Sequence, residues 1–188
     1  IVSDFMSSTL RRRFQQRFGD AGHGFLLMAK PWAWYFHQDV SYWSSEGWSV
    51  HRIVNPRIGD ELYGYGGATF RTSDSARAGF GTVKVPAAAA SAVASAGSGG
   101  NVGTSASSAA GNAGAAAPPP MTLGRYVSKF EVHYLEQPDG GSFDLLLDGI
   151  KVRTVASRAS SKHLAVATVD AADGEHQLEV HTLGNGEA

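Results

Sequence analysis

Phe5, Leu10, Phe14 and Phe18 recur four to five positions apart near the start of the chain, with Arg11, Arg12, Arg13, Gln15, Gln16 and Arg17 between them. That pattern predicts an amphipathic helix. Ser3 and Asp4 suit its start, because their side-chain oxygens accept from the free N–H groups of a first turn. Gly19 suits its end, where a left-handed residue caps the last carbonyls. The three consecutive arginines read as a solvated face, with cations favoured by the helix dipole near the C-terminus.

Beyond residue 120 the period changes to two. Phe130, Val132 and Tyr134 alternate with Glu131 and His133, which predicts a half-buried strand over 128–135. Pro138-Asp139-Gly140-Gly141 supplies a turn, 143–148 a second strand, and Asp148-Gly149 another turn. Strands over 151–157 and 163–170, a turn at Asp173-Gly174 and a strand over 177–183 complete the series. Leu178 and Val180 face inward in the last of these. Upstream, 47–54, 61–65, 68–72 and 79–85 also read as short strands. One sheet needs a second layer to cover its apolar face. The chain is therefore expected to be mainly β, an antiparallel jelly-roll sandwich with one N-terminal α-helix.

Between the two groups of strands, residues 86–120 contain only five that are not Ala, Gly, Ser or Pro, and none that is charged or aromatic. Such a segment buries too little apolar surface to offset its conformational entropy, and predicts a long disordered loop. Because the strands after it need a covering layer, the loop is placed inside one sandwich and not between two domains.

Composition narrows the function. With 188 residues, 43% hydrophobic and a net charge of -1, the chain suits one ordinary domain and lacks the basic stripe of a nucleic-acid binder. It has no cysteine, which excludes disulfide scaffolds, thiolate catalysis and Cys-ligated zinc. No apolar run is long enough to span a membrane, and Ile1–Gly24 lacks the basic-then-apolar order of a signal peptide.

The candidate chemistry is aromatic. Trp32, Trp34, Trp43 and Trp48 fall within seventeen residues, together with Tyr35, Phe36 and Tyr42. Aromatic faces stack on the C–H faces of sugar rings, so Trp32, Trp34, Tyr35, Tyr42 and Trp43 form the candidate glycan-binding set. The competing reading assigns Trp34, Phe36 and Trp48 to packing, and the polar, Gly-rich setting of Tyr42–Gly47 makes Trp43 the most exposed of the group. Metal binding is not expected: His37 and Asp39 stand alone, and no two-histidine helix signature exists. Asp170, Asp173 and Glu175 read as a solvated turn, lacking calcium-loop spacing. The sequence holds no GxSxG elbow and no triad order, leaving Ser44, Ser45 and Ser160 as loop serines. No cofactor is called for.

Ser3–Phe25, SDFMSSTLRRRFQQRFGDAGHGF, resembles the segment that follows the Gly-Asp-Ser block of SGNH (GDSL-type) hydrolases, in the branch similar to peptidoglycan O-acetylesterases. In that branch a β-sandwich similar to a carbohydrate-binding module is inserted after the helix. KPWAWYFHQDVSYW, GWSVHRIVNP and LYGYGGATF look like the opening of the insert, and FEVHYLEQPDGGSFDLLLDG and GEHQLEVHTLGNGEA like its later hairpin and exit. The resemblance implies that residues 1–24 belong to a parent α/β hydrolase domain and residues 25–188 to an accessory sandwich interrupted by 86–120. It places the nucleophilic serine before Ile1, and the oxyanion blocks and the Asp-x-x-His pair beyond Ala188. No position here matches them, so this segment alone is expected to have no esterase activity. The implied partners are the parent catalytic domain and a polysaccharide, peptidoglycan foremost and acetylated xylan second. The implied location is periplasmic or secreted. The alternative is a structural or protein-interaction sandwich that binds no sugar.

Overall fold

A computed structural model describes residues 9–20, 22–32, 35, 40–82 and 126–188. Helix α1 spans Thr9–Phe18 and stops at Gly19, whose φ of 105° is open to glycine and whose N–H donates to the Gln15 carbonyl at 2.9 Å. The expected cap residues Ser3 and Asp4, and Phe5, lie outside the described residues, as does 86–120. The helix buries Gln15, whose amide donates to Asp20 Oδ1 at 2.7 Å and to the Gly22 carbonyl at 2.8 Å. Its apolar stripe faces the other way: Leu10, Phe14 and Phe18 are 54%, 55% and 71% exposed.

Nine strands follow: β1 Ser41–Ser44, β2 Ser49–Arg52, β3 Ala68–Arg71, β4 Arg77–Gly81, β5 Val127–Glu136, β6 Ser142–Leu147, β7 Ile150–Ala156, β8 His163–Gly174 and β9 Gln177–Thr182. Among the described residues they form a five-stranded sheet in the order β1-β4-β9-β6-β7 and two ribbons, β2-β3 and β5-β8, all antiparallel. The mainly β, antiparallel architecture expected from the sequence is the one observed. The expected strand over 61–65 is absent. Glu61 takes a φ of 55°, and Gly67 N–H donates to the Gly64 carbonyl at 2.9 Å, so this stretch turns where a strand would extend.

The core lies between the five-stranded sheet and the β5-β8 ribbon. Phe130, Ala167 and Val169 from the ribbon meet Phe143, Leu145, Val155, Leu178 and Val180 from the sheet, all buried. Register explains the selection: Phe130 stands opposite Val169, and Leu145 opposite Val180, so alternate positions on each strand share the inner face. Asp148 and Gly149, with φ of 52° and 79°, make the β6-β7 turn with both central residues left-handed. That geometry matches the twist of a tight hairpin. β4 pairs directly with β9, so strands on both sides of 86–120 belong to one sheet. No helix among the described residues is long and apolar enough to cross a membrane.

One ion pair ties two turns together. His176 faces two acceptors, Asp148 Oδ2 through Nδ1 and the Ala172 carbonyl through Nε2, each at 2.7 Å. Both contacts are hydrogen bonds only when each nitrogen carries a hydrogen, an arrangement that favours the imidazolium form. The Asp148 hydrogen bond raises the His176 pKa above 6.5, against the opposing effect of burial and with help from the Ala172 carbonyl. Burial would raise Asp148, but the Gln177 N–H and His176 outweigh it and hold the carboxyl below its ordinary 3.8.

Leu145 is wholly buried at the centre of the core, and Leu145→Ala is expected to lower stability by about 2–5 kcal/mol in chemical denaturation. His176 contributes a stabilisation that is complete below its unfolded-state pKa and lost as pH rises through the raised folded value. The stability difference between the native chain and His176→Asn should therefore shrink as pH is raised above 6.5.

Candidate functional site

Of the five aromatic residues singled out from the sequence, the four that are described do not share one surface. Trp34 lies outside the described residues. Tyr35 is 2% exposed, with its ring 6.0 Å from Trp32 and 5.6 Å from Tyr42, both edge-on. Tyr42 stands opposite Phe80 on the inner face of the sheet, ring centroids 6.1 Å apart, and Phe80 lies 6.2 Å from the core residue Phe130. Trp32, Tyr35 and Tyr42 thus form a file of rings running into the core. Burial raises the pKa of both tyrosines, so their hydroxyls stay protonated. Trp48 packs against the core, with its N–H donating to the Arg77 carbonyl at 3.0 Å.

Trp43 is different because it follows Tyr42 on a strand, where successive side chains point to opposite faces. It lies on the outer face of the five-stranded sheet, opposite Gly79. A Cβ at Gly79 would stand 2.6 Å from the indole Nε1 and 2.7 Å from Cε2, so the ring lies across a position that only glycine can leave open.

A second aromatic group was not singled out from the sequence. Phe25 and Tyr65 stack with centroids 3.9 Å apart, and His133 meets them edge-on at 5.9 and 5.4 Å. Phe25 is 62% and Tyr65 68% exposed. They stand at an open cleft of about 1100 Å³ between the 22–28 segment, the β2-β3 connection and β5. Leu27 and Tyr63 add to its apolar wall, while Glu131, His133, Lys162 and His163 bring polar groups to it. His133 Nδ1 is shielded from solvent and has no hydrogen-bond partner among the described residues. The Gly64-Tyr65-Gly66-Gly67 setting of Tyr65 is the signal that could have found it, since it repeats the Gly-rich context of Trp43. Phe25, directly after Gly22-His23-Gly24, carries the same mark.

Asp60 holds the rim. It accepts from Lys162, from Arg71 at 3.2 Å and from the Leu62 N–H at 3.2 Å, while Arg71 also reaches Glu187 at 3.0 Å. The Lys162 hydrogen bond, opposed by burial and supported by Leu62 and Arg71, brings the Asp60 pKa from 3.8 down to about 2. The network fixes the 56–62 loop to β3, to the start of β8 and to the last residues described.

The His176–Asp148 pair does not have the form of a hydrolytic centre. His176 spends both ring nitrogens on Asp148 and Ala172, which leaves no nitrogen to take a proton from a serine. The buried Ser157 hydroxyl faces the Gly141 and Glu187 carbonyls at 3.3 and 3.2 Å. No group of three or more His, Asp or Glu side chains could hold a metal among the described residues. No family model matches the chain, and comparisons with curated proteins and with solved structures found no match.

Because the Asp60 pKa is depressed, its stabilisation is present above 3.8 and lost as pH falls through about 2. Asp60→Asn should therefore destabilise the chain at neutral pH, with the gap from the native chain closing on acidification. Urea melts of the two proteins across that range measure it.

Proposed function

We propose that this chain is a non-catalytic, glycan-positioning β-sandwich that serves an SGNH-type serine esterase in removing O-acetyl groups from a polysaccharide, peptidoglycan foremost. The parent domain would supply the serine nucleophile and an oxyanion hole, and the sandwich would hold the acetylated chain beside them. The ordered resemblance of Ser3–Phe25 and of the strand segments to that family supports this reading, as does a sandwich fold. The observation that carries it is the exposed Phe25–Tyr65 stack at an open cleft bordered by imidazole, ammonium and carboxylate groups. Rings offer the C–H faces of a sugar a platform, and the polar groups are hydrogen-bonding partners for its hydroxyls. The outward apolar stripe of α1 supports assigning residues 1–24 to the parent domain. A periplasmic or secreted location follows from the substrate.

The second reading is a structural sandwich without sugar binding. The file Trp32, Tyr35, Tyr42 and Phe80 favours it, since those rings are used for packing.

Affinity electrophoresis through gels containing soluble acetylated xylan, and sedimentation with insoluble peptidoglycan, separate the two. Retardation or co-sedimentation that is lost in Tyr65→Ala and in Phe25→Ala, with unchanged melting temperatures, is the expected result. A native chain that ignores every polysaccharide offered leaves the structural reading in place.

A further inference from the structure

The outer face of the five-stranded sheet carries chemistry that the cleft does not use. Across one row of this face stand Trp43 on β1, Gly79 on β4 and Glu179 on β9; across the next, Arg77 on β4, His181 on β9, Asp144 on β6 and Thr154 on β7. Strands in a sheet lie about 4.8 Å apart, so Glu179 is two strand spacings from the Trp43 backbone, and the indole lying across Gly79 covers much of that distance. Trp43 is half-buried, one face against glycine and the other turned out of the sheet. Its N–H is shielded from solvent and has no acceptor among the described residues.

Each polar neighbour is already oriented. Glu179 Oε2 meets His181 Nε2 at 2.9 Å, and Asp144 accepts from Thr154 at 2.5 Å and from Lys151 at 3.2 Å. The Asp144, Glu179 and His181 side chains are only 15%, 15% and 21% exposed, so their rotamers are held by the sheet. A carboxylate has about four lone-pair sites, and these partners leave some of them open toward solvent.

We propose that this face is a second glycan subsite for an uncharged oligosaccharide, in which one pyranose ring stacks on Trp43 and bonds to Glu179 while the next sugar along the chain reaches His181 and Asp144. The proposal rests on the glycan reading above and adds to it a second surface and a substrate class. The class follows from charge. The Glu179 and Asp144 carboxylates are offset on this face by Lys151, which pairs with Asp144, and by Arg77, which stands opposite His181, so no net charge recruits either a uronate or a cationic sugar. A protein partner docking by its apolar side chains fits poorly, because the neighbours of the indole are charged and held in place. A sugar hydroxyl that drew the indole slightly off Gly79 would also give its N–H the acceptor it lacks.

The test is a titration of the ¹⁵N-labelled chain with three soluble probes: chito-oligosaccharide, xylo-oligosaccharide and, as the anionic control, oligogalacturonate. The indole N–H signals are followed, with that of Trp43 assigned from Trp43→Phe. A neutral oligosaccharide is expected to move the Trp43 signal in the native chain and equally in Tyr65→Ala, whose cleft is disabled, while oligogalacturonate leaves it in place. Affinity at this face should fall about tenfold in Trp43→Ala and in Glu179→Gln. Glu179→Gln keeps the shape of the side chain and decides the matter should Trp43→Ala fail to fold. If sugars move signals around the cleft but never that of Trp43, the cleft reading survives and this subsite is overturned. If no sugar moves any signal, both fall. If oligogalacturonate moves the Trp43 signal as strongly as the neutral sugars, the assigned class is wrong.

Discussion

The pairing of β4 with β9 is the constraint on which the remainder of the molecule depends. It joins segments about a hundred residues apart, and through β4 it attaches β1 to the three strands β9, β6 and β7. Two inward pairs, Ala78 opposite Val180 and Phe80 opposite Leu178, bury the contact. Thr182 then closes its end: the hydroxyl accepts from the Ala76 N–H at 2.8 Å and donates to the Asp74 carbonyl at 2.6 Å. A buried hydroxyl with both roles filled gains from burial what an unpaired one would lose. Loop-closure entropy rises only logarithmically with loop length, so a long 86–120 stretch costs little more than a short one would. Low-complexity sequence can therefore sit within a sandwich, provided the strands on either side recognise each other.

That pairing also decides which aromatic residues pack and which face outward. Tyr42 and Trp43 are neighbours in sequence, yet the register with Phe80 and Gly79 sends the first into the core and the second onto the outer sheet face. The candidate platform divides accordingly, with Trp32, Tyr35 and Tyr42 used as a seal between the N-terminal segment and the core. The exposed rings come from elsewhere: Phe25 before the first strand and Tyr65 in the turn before β3. They are brought together by β5, whose His133 touches both.

What could be read in the chain was local. Alternation in β5, the Asp148-Gly149 turn and the glycine after α1 each depend on residues within a few positions of one another, and each matches. The sandwich could be inferred because nine short strands need two layers. Glu61–Tyr65 reads as a short strand between Gly, Pro and Asp breaks, but the left-handed Glu61 and the Gly64–Gly67 turn override it. The site was less legible because register is non-local. Nothing near Glu179 or Asp144 announces that β9 and β6 stand beside a glycine that leaves room for an indole from β1.

Most of the charged side chains on the two surfaces are held in pairs. A general acid or base needs a proton that can leave and a group free to receive it. Several titratable side chains here are engaged with one another, Glu179 with His181, Asp144 with Thr154 and Lys151, Asp148 with His176, Asp60 with Lys162 and Arg71, whereas His133 Nδ1 at the cleft is not. The Thr154 hydrogen bond, with Lys151 and against burial, holds Asp144 below its ordinary pKa, so the group stays an acceptor across the neutral range. Such pairs fix dipoles in place without offering a mobile proton. A neutral, many-hydroxylated ligand exploits fixed donors and acceptors of this kind, since it can satisfy several at once without importing a charge that would have to be desolvated. Chemistry on such a ligand would have to come from groups other than these.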